Sequence, residues 1–363
     1  MVTYKPAPPA LWLRATRELE TVYGLRAVYA WTLASLGEHC VVFYPVRPRD
    51  GAELARRLVS HPQVATAQPI QEFATLSAPG DPYAHLQHAA LALHLEPAHR
   101  WATGKGVTVA VVDTGVDFDH PDLRERVAKA KNFVDRGEQT FTSDLHGTAV
   151  SGVIAATADN GIGIIGVAPQ AEVWALKACW SRSARDRQAV CNSYTLAKAL
   201  DFAVLEKAQV LNISLSGPAD PLLERIVIAA LERGTTVVAA QATASPTGFP
   251  AAVPGVIAVR ETDFDGVLRA AGGPDVSLLA APGIDILTTV PRGAFDLYSG
   301  SSLAAAHVSG IVALLLERRP GLQPREVAAL LQRTARQAGG GSIVDACAAL
   351  REVVGGEAAC PAS

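Results

Sequence analysis

Apolar and polar positions along the chain follow two rhythms. Over residues 22–76 the runs are short. Leu25, Val28, Tyr29, Ala30 and Trp31 mark one strand and Cys40-Val41-Val42-Phe43-Tyr44 another. Residues 51–61 carry Leu54, Leu58 and Val59 on one helical face, and residues 64–73 suit a closing strand. These elements predict a small α/β domain over 22–76, preceded by a loosely ordered lead-in over 1–21. Ser77-Ala78-Pro79-Gly80-Asp81-Pro82 is turn chemistry and predicts a linker over 77–82.

From residue 83 to residue 363 the rhythm changes. Continuous apolar runs at 107–112, 173–177, 210–213, 235–240 and 256–259 read as buried strands. Helical spacing fills 148–157, 195–206 and 221–233 between them, and 302–318 and 324–333 near the end. Strands alternating with helices predict an α/β fold with a mostly parallel sheet and helices on both faces. The most apolar stretch, 303–316, contains His307 and Ser309 and falls short of the ~20 residues a membrane span needs. It reads as a core helix, so no membrane span is expected. Gly339-Gly340-Gly341 breaks the chain after the last helical pattern.

Composition narrows the classes. Hydrophobic residues make up 49% and charged residues 18%, a balance that builds a large core and excludes disorder. A formal charge of −3 and the lack of a basic run exclude a nucleic-acid partner. Met1-Val2-Thr3-Tyr4-Lys5-Pro6 lacks the charged start and apolar run of a signal peptide. Of the five cysteines, Cys179 with Cys191 and Cys347 with Cys360 lie close enough in sequence to close small loops, leaving Cys40 over. Two such disulfides would imply an oxidising compartment; five free thiols are the alternative, because spacing alone does not fix connectivity.

Three segments carry candidate chemistry. Val109-Ala110-Val111-Val112-Asp113-Thr114-Gly115 is a buried strand ending in a carboxylate and a turn. In parallel sheets, sites form at the carboxyl ends of strands. His146-Gly147-Thr148 puts a histidine at the start of a small-residue helix. Gly300-Ser301-Ser302-Leu303-Ala304 puts a serine in the first turn of an apolar helix, where backbone N–H groups are unpaired and the dipole favours negative charge. Each segment alone has a bland structural reading, as a turn, a loop histidine or an N-cap.

Together, in the order Asp, His, Ser, these segments resemble the three signatures of the subtilisin-like serine protease family. His120-Pro121-Asp122-Leu123, the stretch 163–169 and Asn212-Ile213-Ser214-Leu215 add to the likeness, which runs from about residue 80 to 350. The resemblance implies a serine endopeptidase acting on peptide or protein substrates. Ser302 would be the nucleophile, His146 the general base, and Asp113 would orient it, the roles worked out for this family. It also implies that residues 22–76 are a propeptide, acting as folding chaperone and inhibitor, with self-cleavage near Leu76. Ser214, Leu215, Ser216 and Gly248 would bind substrate. The chemistry needs no cofactor. A structural calcium site would draw on Asp122 and Asn160, with Asp81 or Gln87 as further candidates. Secretion or export to the periplasm would suit the family and its disulfides.

One departure stands out. Thr243 occupies the position of the family's usual oxyanion-binding Asn, so Thr243 or Gln241 would have to substitute beside the Ser302 N–H. That change supports a competing reading, a peptide-binding or regulatory pseudoprotease. An esterase is disfavoured, since its Gly-x-Ser-x-Gly nucleophile precedes the histidine in the chain.

Overall fold

The computed structural model describes residues 1–48, 50–71, 80–134, 141–181, 189–241, 248–267, 278–338 and 341–355. By its contacts the chain divides into two compact units, Met1–Ser77 and Ala78–Ser363.

In the first unit the order is β1 (Val2–Tyr4), α1 (Pro9–Tyr23), β2 (Leu25–Leu33), β3 (Glu38–Pro45), α2 (Gly51–Leu58) and β4 (Val64–Ala67). The strands form one antiparallel sheet in the order β2-β3-β1-β4. The stretch expected to be a loose lead-in is therefore structural. β1 lies between β3 and β4, and Val2, Tyr4, Ala15 and Leu19 are buried in this unit's core. A strand of three residues shows no periodicity, and Pro9, the first residue of α1, stands where proline is compatible with a helix start. Cys40 is a buried free thiol.

The second unit opens with two short helices, α3 (His88–Ala92) and α4 (Leu95–His99). Next come β5 (Thr108–Asp113), β6 (Val127–Asn132), α5 (Leu145–Ala155) and β7 (Glu172–Lys177). A hairpin, β8 (Cys179–Ser181) and β9 (Ala189–Cys191), leads into α6 (Ser193–Leu205), β10 (Val210–Ile213), α7 (Pro221–Glu232), β11 (Thr236–Ala240) and β12 (Ile257–Thr262). The chain ends with β13 (Leu279–Pro282), a hairpin of β14 (Ile286–Val290) and β15 (Ala294–Tyr298), α8 (Ser301–Arg318), α9 (Pro324–Thr334), β16 (Arg336–Ala338), β17 (Gly341–Ile343) and α10 (Ala346–Val354). The nine-stranded sheet runs β16-β17-β13-β12-β11-β10-β5-β7-β6 and is parallel except for β16. This is the expected α/β architecture.

Side-chain caps start several of the helices. Asn192 accepts the Thr195 N–H at α6, and Asp220 accepts those of Leu222 and Leu223 at α7. One face of the sheet packs against α5, α8 and α10, the other against α6 and α7. Helix α8 is buried from Leu303 to Leu316. Among the described residues no helix is long and apolar enough to cross a membrane.

Near the start of α8 is the buried His307, whose pKa burial lowers from 6.5 to about 4. The unfolded chain takes up a proton below pH 6.5 that the native state refuses until about pH 4, so stability falls as pH drops through that window. Thermal midpoints measured across it should decline less steeply for His307→Asn than for the parent; equal slopes would refute the assignment.

Candidate active site

The order of the sheet places the site. The chain leaves β5 toward β7 on one side and later returns to lay β10 on the other, so β5 and β10 flank a switch point. Crevices at such points, beyond the carboxyl ends of the strands, are where open α/β sheets bind ligands. Asp113 ends β5, and Ser214 directly follows β10.

His146 reaches Asp113 because α5 starts against the turn that follows β5. A Cβ on Gly147 would come within 2.2 Å of the Gly115 carbonyl oxygen, so only glycine permits that approach. The Gly147 N–H donates to Thr114 Oγ1 at 3.2 Å. His146 Nδ1 lies 2.8 and 2.9 Å from the two oxygens of Asp113. An ionised carboxylate only accepts, so Nδ1 carries the proton and Nε2 keeps its lone pair. Burial pulls the His146 pKa down, but the Asp113 charge and hydrogen bond outweigh it and leave the pKa raised above 6.5.

Ser302 lies in the first turn of α8 and lines the same cleft as Asp113 and His146. Its hydroxyl donates to the Ser214 carbonyl at 3.1 Å, and Ser214 Oγ donates to the Ser302 carbonyl at 3.2 Å. Buried Asn212 donates to Ser214 Oγ at 2.8 Å and accepts from Ser309 Oγ at 2.9 Å. This buried network joins α8 to the end of β10. From the sequence, Asn212 is only part of a family-like segment and Ser309 only an interruption of an apolar run.

The cleft, about 660 Å³, is lined by Ser214, Leu215, Ser216 and Gly217 and by residues 189–193. Phe249, next to the substrate candidate Gly248, lines the cleft, and its carbonyl accepts the Gly217 N–H at 2.9 Å; Gly248 itself is not among the lining residues. Gln241 is buried just past β11. Thr243 and Leu76 lie outside the described residues.

The calcium candidates are hydrogen-bonded within their own loop. Asn160 Nδ2 donates to Asp122 Oδ1 at 2.8 Å, and the Ile164 N–H to Oδ2 at 3.0 Å. Asn160 Oδ1 accepts the Ile162 N–H at 2.7 Å. Asp81 accepts the N–H groups of Asp159, Asn160 and Gly161, and Gln87 is bonded to the Ile165 backbone. These side chains satisfy one another and the loop amides instead of converging free oxygens, so the arrangement does not fit a calcium ion.

One buried charge was missed. Lys177 ends β7 at 1% exposure and donates both to Asp144 Oδ2 and to the Thr114 carbonyl. It ties together the start of the His146 helix and the turn after Asp113. A lysine closing an apolar run, with an aspartate two residues before the histidine, was the available signal.

A buried Asp–His pair and a helix-start serine that line one cleft at the switch point of a parallel sheet have the makings of a serine hydrolase site on an α/β fold. The comparisons make it specific: the profile of the subtilase family matches residues 104–348, and the chain belongs to that family as a subtilisin-like serine endopeptidase. It is 34% identical over 250 residues to an intracellular serine protease of Paenibacillus polymyxa, covering 64% of this chain and 74% of that one. It is 33% identical over 268 residues to subtilisin E of Bacillus subtilis, covering 71% and 67%. A solved structure described as proteases from Pseudoalteromonas arctica superposes with a TM-score of 0.68 at 26% identity, covering 76% of this chain and all of that one. Its substrates are therefore peptides or proteins.

Proposed function

We propose that the chain hydrolyses internal peptide bonds through an acyl-enzyme on Ser302, with His146 as general base and Asp113 holding the imidazole. The contact of His146 Nδ1 with both oxygens of buried Asp113 carries this reading, since it leaves Nε2 as the acceptor in the cleft. The reading requires the Ser302 hydroxyl to leave the Ser214 carbonyl, by rotation about χ1 among the staggered wells of a serine, and to face that acceptor. As the oxygen attacks the substrate carbonyl carbon, its proton passes to Nε2. The imidazolium, stabilised by Asp113, then gives it to the leaving amine, and water repeats the sequence to free the acid. The Ser302 N–H at the start of α8 is one oxyanion donor, and Gln241 or Thr243 is the candidate second.

A fluorophosphonate probe tests the reading. Labelling at Ser302 that is lost in His146→Ala supports it. Absence of labelling would favour the non-hydrolytic alternative, for which the bond from Ser302 to the Ser214 carbonyl speaks.

The pH profile follows from the raised His146 pKa. Catalysis needs the neutral ring, so kcat/KM should rise with pH and reach half its plateau above pH 6.5. In Asp113→Asn, residual activity should have that limb at lower pH, because the raising charge is gone. A limb at or below pH 6.5 in the parent would contradict the assignment.

The first unit is proposed as a folding chaperone and inhibitor removed by self-cleavage near Leu76. Intact mass of the parent against Ser302→Ala decides it; identical N-termini would refute it. The Cys179–Cys191 disulfide and the disulfide-bonded Cys347, whose expected partner Cys360 lies outside the described residues, support an oxidising compartment, secreted or periplasmic.

A further inference from the structure

Among the described residues, the hairpin β8–β9 is a two-stranded sheet of its own, not joined to the large sheet. It has three residue pairs, Cys179 with Cys191, Trp180 with Val190 and Ser181 with Ala189. A ribbon that short does not hold its shape in water unaided. Yet its second leg supplies Ala189, Val190 and Cys191 to the lining of the cleft that Leu215, Ser216 and Ser302 also line.

Both ends of the hairpin are anchored. The Ala178 N–H donates to the Asp113 carbonyl at 2.8 Å, and Thr195 Oγ1 donates to the Ala178 carbonyl at 2.6 Å. The second leg runs straight into Asn192, the cap of α6, which accepts the Thr195 N–H at 2.9 Å. Between these anchors, the Cys179–Cys191 disulfide joins the two legs at the base of the hairpin and itself lines the cleft.

We propose that this disulfide is a specificity-determining clasp. It holds the 189–193 wall ready for a peptide chain running away from Ser302, and takes no part in the chemistry at Ser302. The proposal rests on the serine endopeptidase reading above. A preformed wall spares the substrate the cost of ordering it, and that benefit grows with each substrate residue seated against it. On this proposal a substrate with one residue before the reacting carbonyl stays short of the wall, whereas one with four residues reaches it.

The test compares two substrates of the full chain: an acetylated single-residue p-nitrophenyl ester and a tetrapeptide p-nitroanilide with the same terminal residue. In Cys179→Ala/Cys191→Ala, kcat/KM for the tetrapeptide should fall about tenfold, mostly through KM, with the ester within about twofold. Equal losses on both substrates, or none on either, would overturn the clasp. Should the double variant fail to fold, the same comparison is made on a folded Cys347→Ala chain before and after phosphine reduction, which confines the change to Cys179–Cys191. A parent that turns over neither substrate would overturn the protease reading and the clasp with it.

Discussion

Ser302→Ala is expected to lower kcat by roughly 10⁶-fold, the loss known for the nucleophile of subtilisin, a member of the same family. The side chain is small and part-buried, and its recorded hydrogen bond is to the Ser214 carbonyl, so the fold should hold. Peptide affinity should change only a few-fold, because the cleft walls are untouched. His146→Ala should match this loss, and the double variant should be no slower than either single one, since the two groups act as one unit. Steady-state kinetics with active-site titration measures all three. Retention of more than a few per cent of parental kcat in Ser302→Ala would move the nucleophile elsewhere.

Lys177→Met should cost about 3–5 kcal/mol, the usual effect of removing one partner from a buried ion pair. At 1% exposure, Lys177 is the donor to both Asp144 Oδ2 and the Thr114 carbonyl, so the substitution takes the ammonium away from a buried carboxylate and a carbonyl. The thermal midpoint should fall by about 10 °C or more in a unit of this size. Activity should suffer as well, because Asp144 begins the helix that presents His146 and Thr114 follows Asp113. Adding Asp144→Asn removes the stranded charge and should recover part of the loss. Differential scanning calorimetry of the two single variants and the double one provides the cycle. Purely additive losses would mean that the pair is not coupled.

Much of this was legible along the chain because the signals are local. The apolar runs at 107–112, 173–177 and 210–213 are buried on both sides, so they stand out as strands without reference to partners. Asp113, His146 and Ser302 were legible because each sits at a strand end or helix start marked by glycine, and Gly147 carries a steric requirement that only glycine meets. Elements whose identity depends on neighbours were not legible. β1 is three residues long, and β6, with Lys129 and Lys131, is an exposed edge strand.

The amino-acid order alone determined the sheet-and-helix alternation, since periodicity and local turn chemistry survive in one dimension, and it carried the family resemblance that implies the residues of the proposed triad. Only the folded chain decided that Lys177 braces the Asp144 helix start, that Asn212 and Ser309 join α8 to β10, and that Cys179–Cys191 lines the cleft. It also decided that Asp122 and Asn160 bond to each other. Buried polar groups take whichever partner three-dimensional packing brings within about 3 Å, and sequence separation carries no record of that choice.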